Sequence, residues 1–331
     1  VSGDGEQSPP LVSIIVPCYN EQATIRLLLE AIAGQRWPKQ QMEVILSDGM
    51  STDGTRGEVA RFCQNEPGLR VRVVDNLKRN IPAALNRAIE QAHGEFIVRL
   101  DAHSVPSADY VANCVEALRA GKGENVGGVW EIRPGAPTWI ARSIAAAAAH
   151  PVGVGDALYR FTSQAGYVDT VPFGSFRRET LVRAGMFDEN LLTNEDYELN
   201  ARLRQGGGRI WLDPCIRSGY FARATLGGLA KQYQRYGFWK WRMLRRYPGT
   251  LRWRQALPPL FTLSLLGLGV LSPFLALARI LLLLEVMVYF TVLLVGALPI
   301  ALRRRDPGLA LGIPLAICVM HLCWGSGFLW S

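Results

Sequence analysis

Four polar clusters in this 331-residue chain carry side chains suited to metal binding and proton transfer. Pro17-Cys18-Tyr19-Asn20-Glu21 joins an aromatic ring to a carboxylate. Asp48-Gly49-Met50-Ser51-Thr52-Asp53-Gly54-Thr55 holds two more carboxylates. Asp101-Ala102-His103 sets a carboxylate and an imidazole two positions apart, and Asn194-Glu195-Asp196-Tyr197 sets two acids side by side. Oxygen ligands suit Mg²⁺ or Mn²⁺, and Mn²⁺ also accepts imidazole. A lone histidine is commonly structural, but His103 follows a strand-end Asp and is a candidate ligand, directly or through water. Asp196 is a candidate general base. The plain alternative is a helix cap, yet Asn194 is the better cap and leaves Glu195 and Asp196 available. Asp53 stands in an Asp-Gly pair, where a turn role competes with a site role.

These clusters need elements to hold them. Leu11–Val16 reads as a buried strand ending at Pro17, and Met42–Leu46 as a second strand ending at Ser47-Asp48-Gly49. Val71–Val74 and Phe96–Leu100 read as further strands, with helices over Ala23–Ala33, Gly54–Cys63 and Pro82–Ala92 between them. Such alternation implies parallel βαβ units, whose ligands sit beyond the carboxyl ends of the strands. Three of the four clusters lie at those ends. The later part is less regular: a strand over Val126–Ile132, an Ala-rich helix over Trp139–Ala149, strand and turn over Val168–Arg178, a helix over Asn194–Gln205 and a strand at Arg209–Leu212.

With these motifs in this order, the chain resembles the inverting family 2 glycosyltransferases of the GT-A fold, over about residues 11–240. The Asp-Ala-His and Asn-Glu-Asp-Tyr-Glu-Leu-Asn wording, with the short hydrophobic tail, is similar to the ExoA-type enzymes of succinoglycan biosynthesis. The resemblance implies an α/β, Rossmann-like, mostly parallel catalytic sheet. It implies a UDP-sugar donor whose uracil pocket includes Pro17, Tyr19 and Asp48, with Glu21 and Asn86 framing the nucleotide sugar. Asp48 at a strand end can accept from a nucleobase N–H, and Tyr19 can stack on the base. Lys78 and Arg79 could reach the diphosphate or remain solvated. Asp101 and His103 fall at the family's Asp-x-Asp position, with His replacing the second acid; a metal there would bridge the two phosphates. Asp196 would take the acceptor proton for in-line, inverting attack, with Glu195 orienting its neighbours. Gln232-Tyr233-Gln234-Arg235-Tyr236 resembles the Gln-x-x-Arg-Trp motif of membrane synthases, with Tyr last. That likeness assigns Arg235 to the diphosphate, and Tyr236 with Gln232 to the acceptor side; Phe173-Gly174-Ser175 is expected to lie under the acceptor.

Composition separates a soluble part from a tail. Hydrophobic residues make up 49% of the chain and charged residues 19%, but no charge occurs from Gln255 to Ala278 or from Gly308 to Ser331, and Glu285 is alone between Ile280 and Leu302. Three membrane spans are expected near 257–277, 281–302 and 308–330. Glu285 and His321 within them are functional candidates by default, though a helix-packing role is the simpler reading. Leu226–Tyr247 reads as a basic, aromatic helix lying in the headgroup layer or packed on the domain. Lys231, Arg235, Lys240, Arg242, Arg245, Arg246, Arg252 and Arg254 concentrate the charge there, whereas residues 1–230 sum to −2. The sequence pI of 9.4 therefore does not argue for nucleic acid. With Arg303-Arg304-Arg305 after the second span, the positive-inside rule puts the catalytic domain in the cytosol, on a bacterial inner membrane. The six cysteines form no CxxC pair, which suits a reducing compartment. The expected layout is a disordered lead-in over 1–10, showing no signal peptide, then a catalytic domain over 11–222 divided at 105/106. A basic helical region over 223–254 and a membrane domain over 255–331 follow. Deleting the tail after Tyr247 is expected to release a soluble domain.

The leading function is transfer of one sugar, plausibly glucose, to a polyprenyl-diphosphate-linked saccharide. A polyprenyl-phosphate sugar synthase is the alternative. A processive synthase is disfavoured by Tyr236 and the short tail, a transporter subunit by the few polar groups in the spans, and a dinucleotide-dependent dehydrogenase by the lack of Gly-x-Gly-x-x-Gly after the first strand.

Overall fold

The computed structural model describes residues 10–331, so the lead-in lies outside them except for Pro10. Strands β1 (Val12–Cys18), β2 (Met42–Asp48), β3 (Arg70–Asp75) and β4 (Phe96–Arg99) are parallel, in the order β3-β2-β1-β4. Helices α1 (Ile25–Ala33), α2 (Thr55–Asn65) and α3 (Ile81–Glu90) make the crossovers. Asn80 caps α3 by accepting the Ala83 N–H at 2.9 Å, and Pro82 sits in its first turn, where a missing N–H costs nothing. Strand β1 runs two residues past the apolar run, pairing Pro17 with Ser47 and Cys18 with Asp48. Carbonyls of Leu11 and Ile15 accept from Phe96 and Leu100, so odd residues of β1 face β4. The absent N–H of Pro17 therefore points past Arg99, the last residue of β4, and no ladder bond is lost.

Beyond β4 come β5 (Val105–Pro106), α4 (Tyr110–Arg119), β6 (Asn125–Arg133), α5 (Trp139–Ala148) and α6 (Pro151–Val154). Next are β7 (Gly166–Tyr167), β8 (Ser175–Arg177), α7 (Arg178–Arg183), α8 (Glu195–Gln205) and β9 (Ile210–Phe221). The sheet continues as β4-β8-β6-β9-β5, with β7 on β9. Antiparallel pairing of β4 with β8, β8 with β6, and β9 with both β5 and β7 makes the whole sheet mixed. Strand β9 outruns its expected end at Leu212 despite Pro214, and Asp213 Oδ1 accepts the Cys215 N–H at 2.8 Å just past the proline. The core gathers Val12, Ile14, Val16, Leu28, Ile32, Val44, Leu46, Phe96, Val98 and Tyr110, all buried. Each such large side chain contributes about 1.5–3 kcal/mol of burial.

By its contacts the chain forms two compact units: residues through Glu131 with Thr162–Tyr220, and Ile132–Phe161 with Phe221–Ser331. The segment 132–161, expected inside the catalytic domain, thus groups with the C-terminal helices. The second unit contains α5, α6, α9 (Leu226–Arg246), α10 (Trp253–Leu271), α11 (Ala276–Arg304) and α12 (Gly308–Trp330). Helix α12 packs against α5, α9, α10 and α11. Small residues allow this: a side chain at Gly312 would strike Ser143 of α5, one at Gly327 would strike Gln234 of α9, and one at Gly237 would strike Trp324. The buried stripe of α9, including Leu229, Tyr233, Gly237 and Leu244, faces inward, and Lys231, Arg235, Arg242, Arg245 and Arg246 are exposed. Trp241 meets Phe328 of α12 edge-on with ring centroids 5.1 Å apart.

Helices α10, α11 and α12 are long and apolar enough to cross a membrane, with mean hydropathy of 1.2, 2.5 and 1.8. Leu260, Leu263, Val270, Leu277, Leu283 and Val295 are exposed on α10 and α11, where lipid would cover them. The polar groups in these helices serve packing. Ser264 donates to Glu285 at 2.9 Å, and the His321 ring lies 3.1 Å from both Tyr289 Oη and the Val152 carbonyl.

Candidate active site

The chain leaves β1 towards β2 and β3, then returns on the other side of β1 as β4. Sheets of this kind take ligands in the crevice beyond the carboxyl ends of the strands flanking that reversal. Tyr19 to Glu21 follow β1, and Asp101 to His103 follow β4.

A continuous run of hydrogen bonds crosses these ends. Thr52 N donates to Asn20 Oδ1 at 2.9 Å, and Asn20 N to Ser51 Oγ at 2.9 Å. Glu21 N donates to Thr55 Oγ1 at 2.8 Å. The Glu21 carboxylate accepts from Thr24 Oγ1 at 2.5 Å and lies 3.1 Å from His103 Nδ1. Burial pushes the Glu21 carboxyl up, but the bonds from His103 and Thr24 outweigh it and hold it below its ordinary value. On the far side of Asp101, Arg99 donates to Asp101 Oδ1 at 3.3 Å and to Glu195 Oε1 at 2.9 Å. Asp196 is the next residue, at the start of α8, and its Oδ1 accepts the Tyr197 N–H at 2.7 Å.

Arg99 was not legible as a site residue, although an arginine inside the apolar strand Phe-Ile-Val-Arg is a signal in itself. It is 4% exposed, and its Nε and one terminal nitrogen have no hydrogen-bond partner among the described residues. Burial disfavours its charge, but Asp101, Glu195 and Asp196 around it raise its pKa further still. Burial pushes the carboxyls of Glu195 and Asp196 up; Arg99 opposes this, and repulsion adds to it, from Asp196 and Asp101 on Glu195 and from Asp101 on Asp196.

Helix α8 is held from behind. Asn125 donates to Asn200 at 2.6 Å, Asn200 donates to Thr170 at 2.9 Å, and Tyr197 Oη donates to Asp169 at 3.0 Å. Asn194 does not cap this helix as expected. Its φ of 68° is left-handed, its side chain makes no cap bond, and its amide nitrogen is buried without a partner among the described residues.

Several expected site residues are committed elsewhere. Asp48 is 1% exposed; Ser51 Oγ and Arg56 Nε both reach its carboxylate at 2.5 Å, and Arg56 continues to Asp75 at 2.6 Å. Asp53 takes the turn role: it accepts from Thr55 N at 3.0 Å, Thr55 Oγ1 at 2.5 Å and Gln22 N at 3.1 Å. Those bonds hold its carboxyl below the usual range, the Thr55 hydroxyl foremost. Asn86 spends its amide on the backbone of Phe187, donating and accepting at 2.9 Å, and Lys78 pairs with Glu189 at 2.5 Å. The Phe187 ring lies 5.8 Å from the Arg99 guanidinium, so Asn86 bears on the site indirectly. Ser175 is fully buried in β8, which closes its side chain to an acceptor. Gly174, with φ of 88°, gives its carbonyl to Arg99 N at 3.1 Å. Tyr19 is 49% exposed and its ring lies over Gly49. In the second unit, Gln232 donates to Tyr236 Oη at 2.9 Å, and Arg235 is exposed on the same helix.

Among the described residues no three of His, Cys, Asp and Glu form a ready-made metal cage. Asp101 and His103 offer one oxygen and one imidazole from a single loop. His103 Nδ1 lies 3.1 Å from the Glu21 carboxylate, as where a carboxylate orients a metal-ligating histidine. Two protein ligands fit a divalent ion that draws its other ligands from water and a substrate diphosphate.

The pattern of glycosyl transferase family 2 matches residues 13–183. The chain is 31% identical over 317 residues to the succinoglycan biosynthesis protein ExoA of Rhizobium meliloti (strain 1021), covering 95% of this chain and 93% of that one. It is 26% identical over 324 residues to the dolichyl N-acetyl-alpha-D-glucosaminyl phosphate 3-beta-D-2,3-diacetamido-2,3-dideoxy-beta-D-glucuronosyltransferase of Methanococcus voltae, covering 96% and 95%. In fold it is similar to the mannosyltransferase PcManGT from Pyrobaculum calidifontis, solved with GDP-Man and Mn²⁺, at a TM-score of 0.63 and 23% identity over 95% of this chain and 87% of that one. The strand-end residues from Tyr19 to His103 thus sit in the part of the chain that carries the family pattern, and the chain belongs to glycosyl transferase family 2 and is a glycosyltransferase.

Proposed function

We propose that this protein moves a sugar, with glucose the expected one, from a UDP-sugar to a hydroxyl of a polyprenyl-diphosphate-linked saccharide in exopolysaccharide or cell-surface glycan synthesis. The observation that carries the reading is the Arg99 guanidinium, which ties the metal-side carboxylate Asp101 to the acids opening α8. Similarity to ExoA and to a transferase named for a lipid-linked sugar supports the acceptor class.

Tyr19 offers its exposed ring to the base, while Asp48 and Arg56 fix the loop beneath it. Asp196 accepts the proton of the acceptor hydroxyl as that oxygen bonds to the anomeric carbon. The bond from that carbon to the diphosphate breaks, the electron pair leaves with the nucleoside diphosphate, and the configuration inverts. A raised pKa makes Asp196 a stronger base than an ordinary aspartate. Arg99 opposes the rise that burial imposes on the Glu195 carboxyl and holds it in place, and Arg235 contributes a guanidinium suited to phosphate. When bound by Asp101 and His103, Mn²⁺ or Mg²⁺ supplies Lewis-acid neutralisation of the diphosphate. Arg252, Arg254 and Arg303 to Arg305 at the span ends support a cytosolic placement of this domain, with the three helices in a bacterial inner membrane.

The test is purified protein with Mn²⁺ or Mg²⁺ and a panel of nucleotide sugars, following nucleoside diphosphate release with and without lipid-linked saccharide. Release that needs only polyprenyl phosphate would replace this reading with a polyprenyl-phosphate sugar synthase, whose acceptor is already ionised. Asp101→Ala should abolish metal-dependent nucleotide binding, measured by calorimetry without turnover.

A further inference from the structure

Where α11 ends, a cleft of about 240 Å³ opens between it and α5, lined by Ala146, Ala149, Ile300, Arg303 and Arg304. Neither Arg303 nor Arg304 has a hydrogen bond or carboxylate partner among the described residues. The nearby Arg142 is engaged, pairing with Asp306 at 2.9 Å. One wall is pinned, because His150 Nε2 lies 3.2 Å from the Gly296 carbonyl of α11. The floor is methyl and isoleucine carbon, and the only charges are two guanidinia.

The height of the cleft narrows the ligand. At ~1.5 Å per residue, the 29 residues of α11 extend ~43 Å, well beyond a hydrocarbon core of ~30 Å. Its last turn therefore stands in the headgroup layer. We propose that this cleft binds the phosphate of an anionic bilayer phospholipid. Arg303 and Arg304 hold the phosphate oxygens, and Ala146, Ala149 and Ile300 receive the first apolar carbons. Guanidinium forks match phosphate oxygens, and the apolar floor favours a phosphate carried on a hydrocarbon chain over a free one. The inference rests on α11 crossing the bilayer.

Native mass spectrometry of the full chain in detergent, titrated with phosphatidylglycerol or phosphatidylcholine, reads it directly. One phosphatidylglycerol should bind saturably and phosphatidylcholine should not compete. Arg303→Ala with Arg304→Ala should weaken binding about tenfold or more, the loss of charge-assisted hydrogen bonds. Ala149→Leu, which fills the cleft without changing charge, should weaken it too. Arg245→Ala with Arg246→Ala removes equal charge from α9 and should leave it intact. Equal loss in that control, or no loss on removing Arg303 and Arg304, would overturn the site. Displacement of the lipid by inorganic phosphate would overturn the lipid as its ligand. Flotation with pure phosphatidylcholine vesicles tests the span alone: all variants should float, and a chain that stays in solution would overturn the span and the inference with it.

Discussion

Arg99 and Glu195 meet at 2.9 Å in the interior, joining the end of β4 to the start of α8 across almost a hundred residues of chain. Replacing Arg99 with Leu leaves Glu195 buried without its counter-charge, which costs about 3–5 kcal/mol. Adding Glu195→Leu should restore much of that loss. Urea unfolding of the four proteins of the cycle measures the coupling, and simple additivity would dissolve the pair as a structural unit.

Asp196→Asn keeps the shape of the site and removes its proton acceptor. Transfer to a sugar hydroxyl should fall about 10²–10⁴-fold. Binding of the nucleotide sugar, followed by calorimetry, should be unchanged. Loss of both together would assign Asp196 to donor binding.

The raised pKa of Asp196 has a sign in pH as well. The basic form exists only above that pKa, so turnover should decline on acidification at a pH above the ordinary aspartate value of 3.8. For stability the direction is opposite. A carboxyl whose folded pKa is raised favours the fold while protonated, below its unfolded pKa, and loses that contribution as pH rises through the folded pKa. Asp196→Asn should therefore melt higher than the parent at neutral pH, with the gap closing in acid.

Close approach of α9 and α12 predicts a contrast between glycines. Gly237→Leu forces a side chain into the Trp324 backbone and should destabilise by about 1–3 kcal/mol or more. Gly269→Leu on α10 meets nothing within 4 Å and should be near neutral. Melting temperatures in one detergent compare them.

Truncation after Tyr247 was expected to free a soluble domain, and the packing predicts otherwise. Removing α12 uncovers Gly237 and Trp241 of α9, together with Trp139 and Ser143 of α5. The truncated chain should aggregate on gel filtration. A monodisperse product would mean that these faces find other cover.

The parallel half of the sheet is legible because β1 to β4 are short apolar runs punctuated by polar strand ends, and the three candidate spans because charge is nearly absent over each of them. Helix α4 was overlooked although Tyr110, Val111, Cys114, Val115 and Leu118 keep helical spacing on its buried side. Its boundaries carry no strong cap, and Asp109 makes none. At the site, residue types single out the loops after β1 and β4 and the start of α8, which Glu21–His103 and Asp101–Arg99–Glu195 link in pairs. What each polar atom bonds to depends on neighbours distant in sequence. Asn86 is bound to Phe187 and Glu21 lies against His103, and nothing local marks either pairing. Asn194 looked like a cap from its type alone, yet its left-handed backbone turns the side chain away from that duty.

The alanine helix α5 finishes at Ala148 and packs on α12, which is complete only at Trp330. At ~5–20 residues per second, a ribosome needs roughly 10–40 s to cover that distance. Throughout this interval α5 lacks the packing surface of α12 and has only α6, α9 and the end of α11 beside it. Biogenesis is therefore ordered: the sheet can close early, but the second unit locks only when the last of its helices returns to an earlier one. Ribosome-stalled nascent chains should show α5 open to protease until α12 has emerged.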